Sequence, residues 1–218
     1  TLAEVLITLV VIGIIAAITV PVVMANHKKT ETAARLKKFY STFSNAVRLA
    51  EIEQGIPTTE WDSSLDPDKY FDKYLSKYFN YNKRIRCDEP DSECDYRGEG
   101  MHAWIASVYL DDGTIIGLDW TFQVYYDVNG DKKPNEYGRD FFSFGVKTSS
   151  YDTENFINDY GKFKENVFTE KCIYGEQCNS REFLIEKCGK KEPASRNLCT
   201  LLLFNDGWEF KNDYPLRL

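Results

Sequence analysis

The chain has 218 residues, room for one domain of ordinary size plus an extension. Its 27 basic and 34 acidic residues leave a net charge of −7, which argues against nucleic acid as the main partner, because phosphate binding needs a concentrated positive surface. Apolar residues make up 43 % of the chain, with 14 Phe and 14 Tyr among them, so a core can be built without a cofactor.

Charge is unevenly spread. Residues from Val5 to Ala25 carry none, while nearly everything after Asn26 is strongly polar. The apolar run of about 20 residues is long enough, at about 1.5 Å per residue, to span a bilayer core. A secretory signal peptide fits poorly: no basic segment stands in front, the run is too long, and the helical pattern continues past it. Lys28 and Lys29 follow the run, and charge bias would hold them on the cytoplasmic side, so hydropathy by itself leaves the topology open. Glu4 stands at the start of the run, where a charge is costly unless paired. It either lies at headgroup level or meets a positive partner, for which an α-amino group of its own or a neighbouring chain is the nearest chemistry. Gly13 and Pro21 both weaken a helix, although membrane helices tolerate them.

Helical periodicity goes on beyond the run. Leu36, Phe39, Tyr40, Phe43, Val47 and Ala50 fall on one stripe, with Lys37, Lys38, Ser41 and Asn45 off it. Gly55 followed by Pro57 is the expected stop. The reading is one helix of about fifty residues, about 80 Å long, apolar all round in its first half and one-sided in its second. That shape suits a helix whose first half packs among its own copies while its second half lies against a folded head.

The segment TLAEVLITLVVIGIIAAITVPVV resembles the N-terminus of type IV pilins and of the pseudopilins of type II secretion. Thr1, Leu2 and Glu4 match the block that follows the prepilin-peptidase site in that family. The methylated Phe that usually precedes it is absent, so the numbering begins one residue late or the processed end is unusual. The resemblance covers roughly the first thirty residues, and it implies several things. Glu4 would pair with a neighbour's N-terminal amine during assembly. Gly13 and Pro21 would bracket the stretch that often unwinds in the filament. The subunit would carry a basic leader on the cytoplasmic side, wait in the inner membrane, and be exported into a homopolymeric filament by a prepilin peptidase and an assembly machinery. The implied fold is α+β, a long N-terminal helix packed on a small antiparallel sheet.

In the head, Tyr70, Phe71, Tyr74, Leu75, Tyr78 and Phe79 recur at helical spacing after Asp66 and Pro67, which predicts a short helix with Asp66 as its N-cap. Ala103–Leu110 and Thr114–Asp119 alternate about Asp111-Asp112-Gly113 and read as a hairpin. Gln123–Asp127 and Phe141–Lys147 read as strands flanking a polar loop. Leu198–Asn205 and Trp208–Lys211 read as the last two strands. Phe156, Tyr160, Phe163, Val167 and Phe168 have helical spacing. The expected organisation is a membrane or filament-core half-helix over 1–26, an amphipathic half over 27–55, and an extracytoplasmic head over 56–218.

All six cysteines, Cys87, Cys94, Cys172, Cys178, Cys188 and Cys199, lie in the polar part. Their even number favours disulfides outside the cytoplasm, and the near-neighbour pairs 87–94, 172–178 and 188–199 are expected. Zinc fits less well, since no C-x-x-C pair is present and His27 and His102 stand apart.

One motif has the pattern of metal chemistry. Oxygen-bearing side chains at Asp127, Asn129 and Asp131, with Asn135 four further on, follow the spacing of EF-hand-like calcium loops. The departures are Lys132 where glycine belongs and Gly138 where an acid belongs, with Asp140 as a substitute ligand. The two readings are a calcium loop and a plain turn. No G-x-S-x-G, H-E-x-x-H or phosphate-binding glycine loop occurs, so no enzymatic role is expected. The leading expectation is a structural filament subunit. The alternatives are a pseudopilin or minor tip subunit of a type II secretion system, and a membrane-anchored monomeric surface-binding protein.

Overall fold

The computed structural model of the chain describes residues 1–86, 106–119, 123–147, 167–169 and 175–218. Cys87, Cys94, His102, Phe156, Tyr160, Phe163 and Cys172 fall outside these segments.

Helix α1 runs from Leu2 to Gln54 without interruption through Gly13 and Pro21. Its start is a capping box: Thr1 Oγ1 accepts from the Glu4 N–H while the Glu4 carboxylate turns back to the Thr1 amine. Its stop is Gly55, left-handed at φ 69°, whose N–H donates to the Glu51 carbonyl at 2.9 Å. The apolar residues from Leu2 to Met24 project bare, whereas Thr32, Leu36, Phe39, Phe43, Ala46, Val47 and Ala50 are buried. The second set recurs every three or four residues, so it forms one stripe that faces the head.

Asp66 caps α2 (Pro67–Tyr74), its side chain accepting from the Asp68 N–H at 2.9 Å. The aromatic stripe of α2 is core: Tyr70, Phe71 and Tyr74 are buried, and Trp61 stacks on Tyr74 with ring centroids 4.4 Å apart.

The sheet has six antiparallel strands in sequential order: β1 (Tyr81–Arg86), β2 (Ala106–Leu110), β3 (Ile115–Leu118), β4 (Gln123–Asp127), β5 (Phe141–Val146) and β6 (Val167–Thr169). The register sets Val108, Ile116, Tyr126 and Phe142 side by side. With Val124, Phe144 and Val146 they form the face that meets α1. The alternate residues Ile115, Tyr125 and Phe141 join Tyr137 in a second cluster. This period of two is what a strand imposes on its side chains.

Three expectations are corrected here. Leu198–Asn205 is helix α5, not a strand, and Trp208–Lys211 forms no strand with it. Buried residues on every side of Leu198–Leu203 leave no polar face, and a short apolar run of that kind does not declare its period. Val167 and Phe168 belong to β6 rather than to a helix. Two further helices, α3 (Arg181–Cys188) and α4 (Pro193–Arg196), precede α5. The Cys188–Cys199 disulfide joins α3 to α5, as the near-neighbour pairing predicts. Cys178 is disulfide-bonded as well. β6 reaches only as far as Phe144 along β5, and at the next position the Ser143 N–H donates to Thr200 Oγ1 of α5 at 3.1 Å. A helix thus satisfies part of an open sheet edge.

Candidate functional site

The residues singled out by sequence fall in two places. The first is the bare half of α1, the one described helix long and apolar enough to cross a membrane. Its hydroxyls are satisfied within the helix: Thr8 donates to the Val5 carbonyl and Thr19 to the Ile15 carbonyl, each at 2.9 Å. An apolar environment requires this of any polar group it contains. Glu4 is ion-paired with the amine of its own chain. A Cβ at Gly13 would meet nothing within 4 Å, so no contact inside the subunit explains that glycine.

The second place is the β4–β5 loop. Asp127 ends β4 and Asp140 immediately precedes β5, and both are 0 % exposed. Asp127 Oδ1 accepts from the N–H groups of Asn129 at 2.9 Å and Gly130 at 3.0 Å. Asp140 accepts from Asn129 Nδ2 at 3.0 Å, the Asn135 N–H at 2.9 Å and the Glu136 N–H at 2.7 Å. The Val128 N–H donates to the Asp140 carbonyl, also at 2.9 Å. The loop therefore draws Asp127, Asn129, Asn135 and Asp140 together, while Asp131 is exposed.

Electrostatics at this loop are adverse. Burial pushes the Asp127 carboxyl up to about 8, against the hydrogen bond from Asn129 and with the charge of Asp140 adding to it. Burial also raises Asp140. Among the described residues no group of three or more His, Cys, Asp or Glu side chains is placed to share a metal, so the donors here are two carboxylates and two amides.

Sequence reasoning missed what holds the loop in place. Arg35 of α1 donates to the Val128 carbonyl at 3.0 Å and pairs with Glu31 one turn back. Gly130, at φ 65°, lies so close to the β2–β3 turn that a Cβ would run into the Gly113 carbonyl oxygen. The Asn-Gly dipeptide was a visible turn signal, but the partner across the turn was not. The same hairpin tip is tied to α1, where Lys38 pairs with Asp112 at 3.1 Å.

No curated protein and no solved structure matches the chain. The family described as "Family of unknown function (DUF6613)" matches residues 22–218, the second half of α1 and the head with its β4–β5 loop. The chain belongs to that family.

Proposed function

We propose that the protein is a pilin-like structural subunit that is held in a membrane by the first half of α1 and polymerises through it into a helical surface filament. The observation that carries this reading is the division of α1. Large apolar residues from Leu2 to Met24 are bare in the isolated subunit, and the same continuous helix then becomes a buried stripe against the head. Such a surface needs lipid or other helices around it.

The pilin-like block Thr1-Leu2-Ala3-Glu4 distinguishes this reading from an ordinary anchor. An anchor needs no carboxylate at its start and no glycine without a packing role. In a helical stack, Glu4 supplies a specific pairing and Gly13 allows close backbone approach, since packing rather than hydrophobicity drives helix association in lipid. The heads form the outer surface, and prepilin peptidase and an assembly machinery are the implied partners. Within this reading, a secretion pseudopilin and a minor tip subunit share the N-terminus with a major pilin.

The test is electron cryo-microscopy of material sheared from producing cells. Helical filaments whose density fits this chain support the proposal. Retention of the protein in membranes, with sheared fractions empty, would overturn the surface filament in favour of a short secretion pseudopilus, a minor subunit or a tethered surface-binding protein.

A further inference from the structure

The β4–β5 loop has a peculiarity that a plain turn does not explain. Asp127 Oδ2, Asn129 Oδ1 and Asn135 Oδ1 are buried, and none has a hydrogen-bond partner among the described residues. All three belong to the loop that also buries Asp140. The hydrogen bonds that Asp127 and Asp140 accept from this loop come from the backbone or amide N–H groups of Asn129, Gly130, Asn135 and Glu136, and none of them reaches these three oxygens. Lys28 of α1 gives Asp140 a through-space attraction, while the Asp140 carboxylate's hydrogen bonds come from Asn129, Asn135 and Glu136.

A buried carboxylate oxygen left without a donor is costly, and a second buried carboxylate nearby makes it worse. A bound cation removes both costs together. Oxygen-only donors select a hard ion. Calcium accepts irregular sets of carboxylate and amide oxygens completed by carbonyls and water, whereas magnesium demands near-octahedral geometry and keeps most of its waters.

We propose that Asp127, Asn129, Asn135 and Asp140 form a calcium site, and that calcium bound there locks the head onto α1. The lock follows from what the loop touches. Val128, between the ligands Asp127 and Asn129 in sequence, is held by Arg35 of α1, and Gly130 abuts the β2–β3 turn that Lys38 of α1 also grips. Ordering the loop therefore stiffens the seam between the head and the helix. Two carboxylates are few for a tight site, which places the affinity with extracellular calcium modules, at a Kd of about 10⁻⁴–10⁻³ M. The site does not depend on polymerisation, so its test and that of the filament succeed or fail separately.

The experiment is calorimetric titration of calcium chloride into the full-length chain in detergent micelles, after dialysis against chelator. The expected result is about one equivalent of calcium per chain with that Kd, and a Tm higher by about 4–8 °C in 10 mM calcium than in chelator. Asp127→Asn keeps the acceptor for the Asn129 and Gly130 N–H groups, so it folds, and it weakens calcium binding at least about tenfold. Asn135→Gly deletes an oxygen that has no hydrogen-bond partner among the described residues and suits the left-handed backbone at φ 53°; it leaves the Tm in chelator little changed and weakens binding several-fold. Absence of calcium uptake by the unaltered chain, or equal uptake by it and by Asp127→Asn, would overturn the proposal.

Discussion

Phe39 of α1 lies flat against Tyr126 of β4, ring centroids 4.0 Å apart and planes 9° from parallel. It also meets Phe144 of β5 edge-on at 5.0 Å. The helix and the head are therefore one packed unit at this point, and any force carried along α1 reaches the sheet through these rings. Phe39→Ala is expected to cost about 3–5 kcal/mol, the range for emptying a buried aromatic site. Chemical denaturation followed by tyrosine fluorescence measures it. A loss below about 1 kcal/mol would mean the seam is carried elsewhere.

Arg181 holds two carboxylates. Its Nε and Nη2 reach Asp206 at 2.8 and 2.9 Å, and its Nη1 reaches Asp213 at 2.7 Å. Burial pushes the Asp206 carboxyl up, but the hydrogen bonds from Arg181 and Lys211 outweigh it and hold the group below the ordinary range. A depressed carboxyl stabilises the fold fully above its unfolded pKa of about 3.9, and that contribution is lost as pH falls through the folded value. Arg181→Ala is expected to lower stability near pH 7, and only in part, since Lys211 still reaches Asp206. The difference from the unaltered chain should shrink steadily below about pH 4 in acid titrations of stability. A pH-independent difference would assign the effect to packing instead.

The Cys188–Cys199 disulfide closes a loop over 11 positions between α3 and α5. Replacing both cysteines by serine is expected to destabilise the head by about 2–3 kcal/mol. Denaturant midpoints of the double variant and of reduced protein should agree in direction. An unchanged midpoint in the variant would show that burial of α5 holds this corner unaided.

Gly138 sits beside that disulfide at φ 77°, and a Cβ there would come 2.8 Å from Cys199 Cβ and from Leu216 Cδ1. Backbone strain and crowding act together, so Gly138→Ala should cost about 2 kcal/mol or more. Gly55, at φ 69° with open space around it, feels the backbone penalty alone. Thermal melts of the two alanine variants should rank Gly138 as the more damaging, and the reverse order would refute the crowding argument.

Glu4→Ala leaves every contact of the head intact, because Glu4 is exposed and pairs only with the N-terminal turn. Under the proposed function the variant accumulates as a folded, membrane-held monomer and forms no filaments. Immunoblots of membrane and sheared fractions separate the outcomes, and normal filament yield would sink the role given to Glu4.

Much of this protein is legible along the chain because the deciding interactions are local. The extent of α1 follows from unbroken helical periodicity ended by Gly55. The Asp66 cap of α2 needs only its own first turn. The β2–β3 pair announces itself by alternation around turn residues and the β4–β5 pair by two strand-like runs flanking a polar loop, and β4 occupies the predicted Gln123–Asp127. The Asp127, Asn129 and Asn135 spacing marked the β4–β5 loop as unusual before any geometry was known.

Tertiary structure decided what depends on distant partners. Leu198–Asn205 has the composition of a buried strand, yet it is a helix: β6 stops short along β5, and Thr200 on α5 meets the open Ser143 N–H there. β1 pairs with β2 across a long intervening stretch that no local pattern encodes. Spacing alone placed Asp131 level with Asp127, but Asp131 is exposed, while Asp127 and Asp140 are sealed off from water beneath the packing of α1 and the hairpin tip. Residue types and their intervals are properties of the chain. Whether an oxygen is wet or dry, and so whether it needs a cation, depends on which other parts of the chain fold over it.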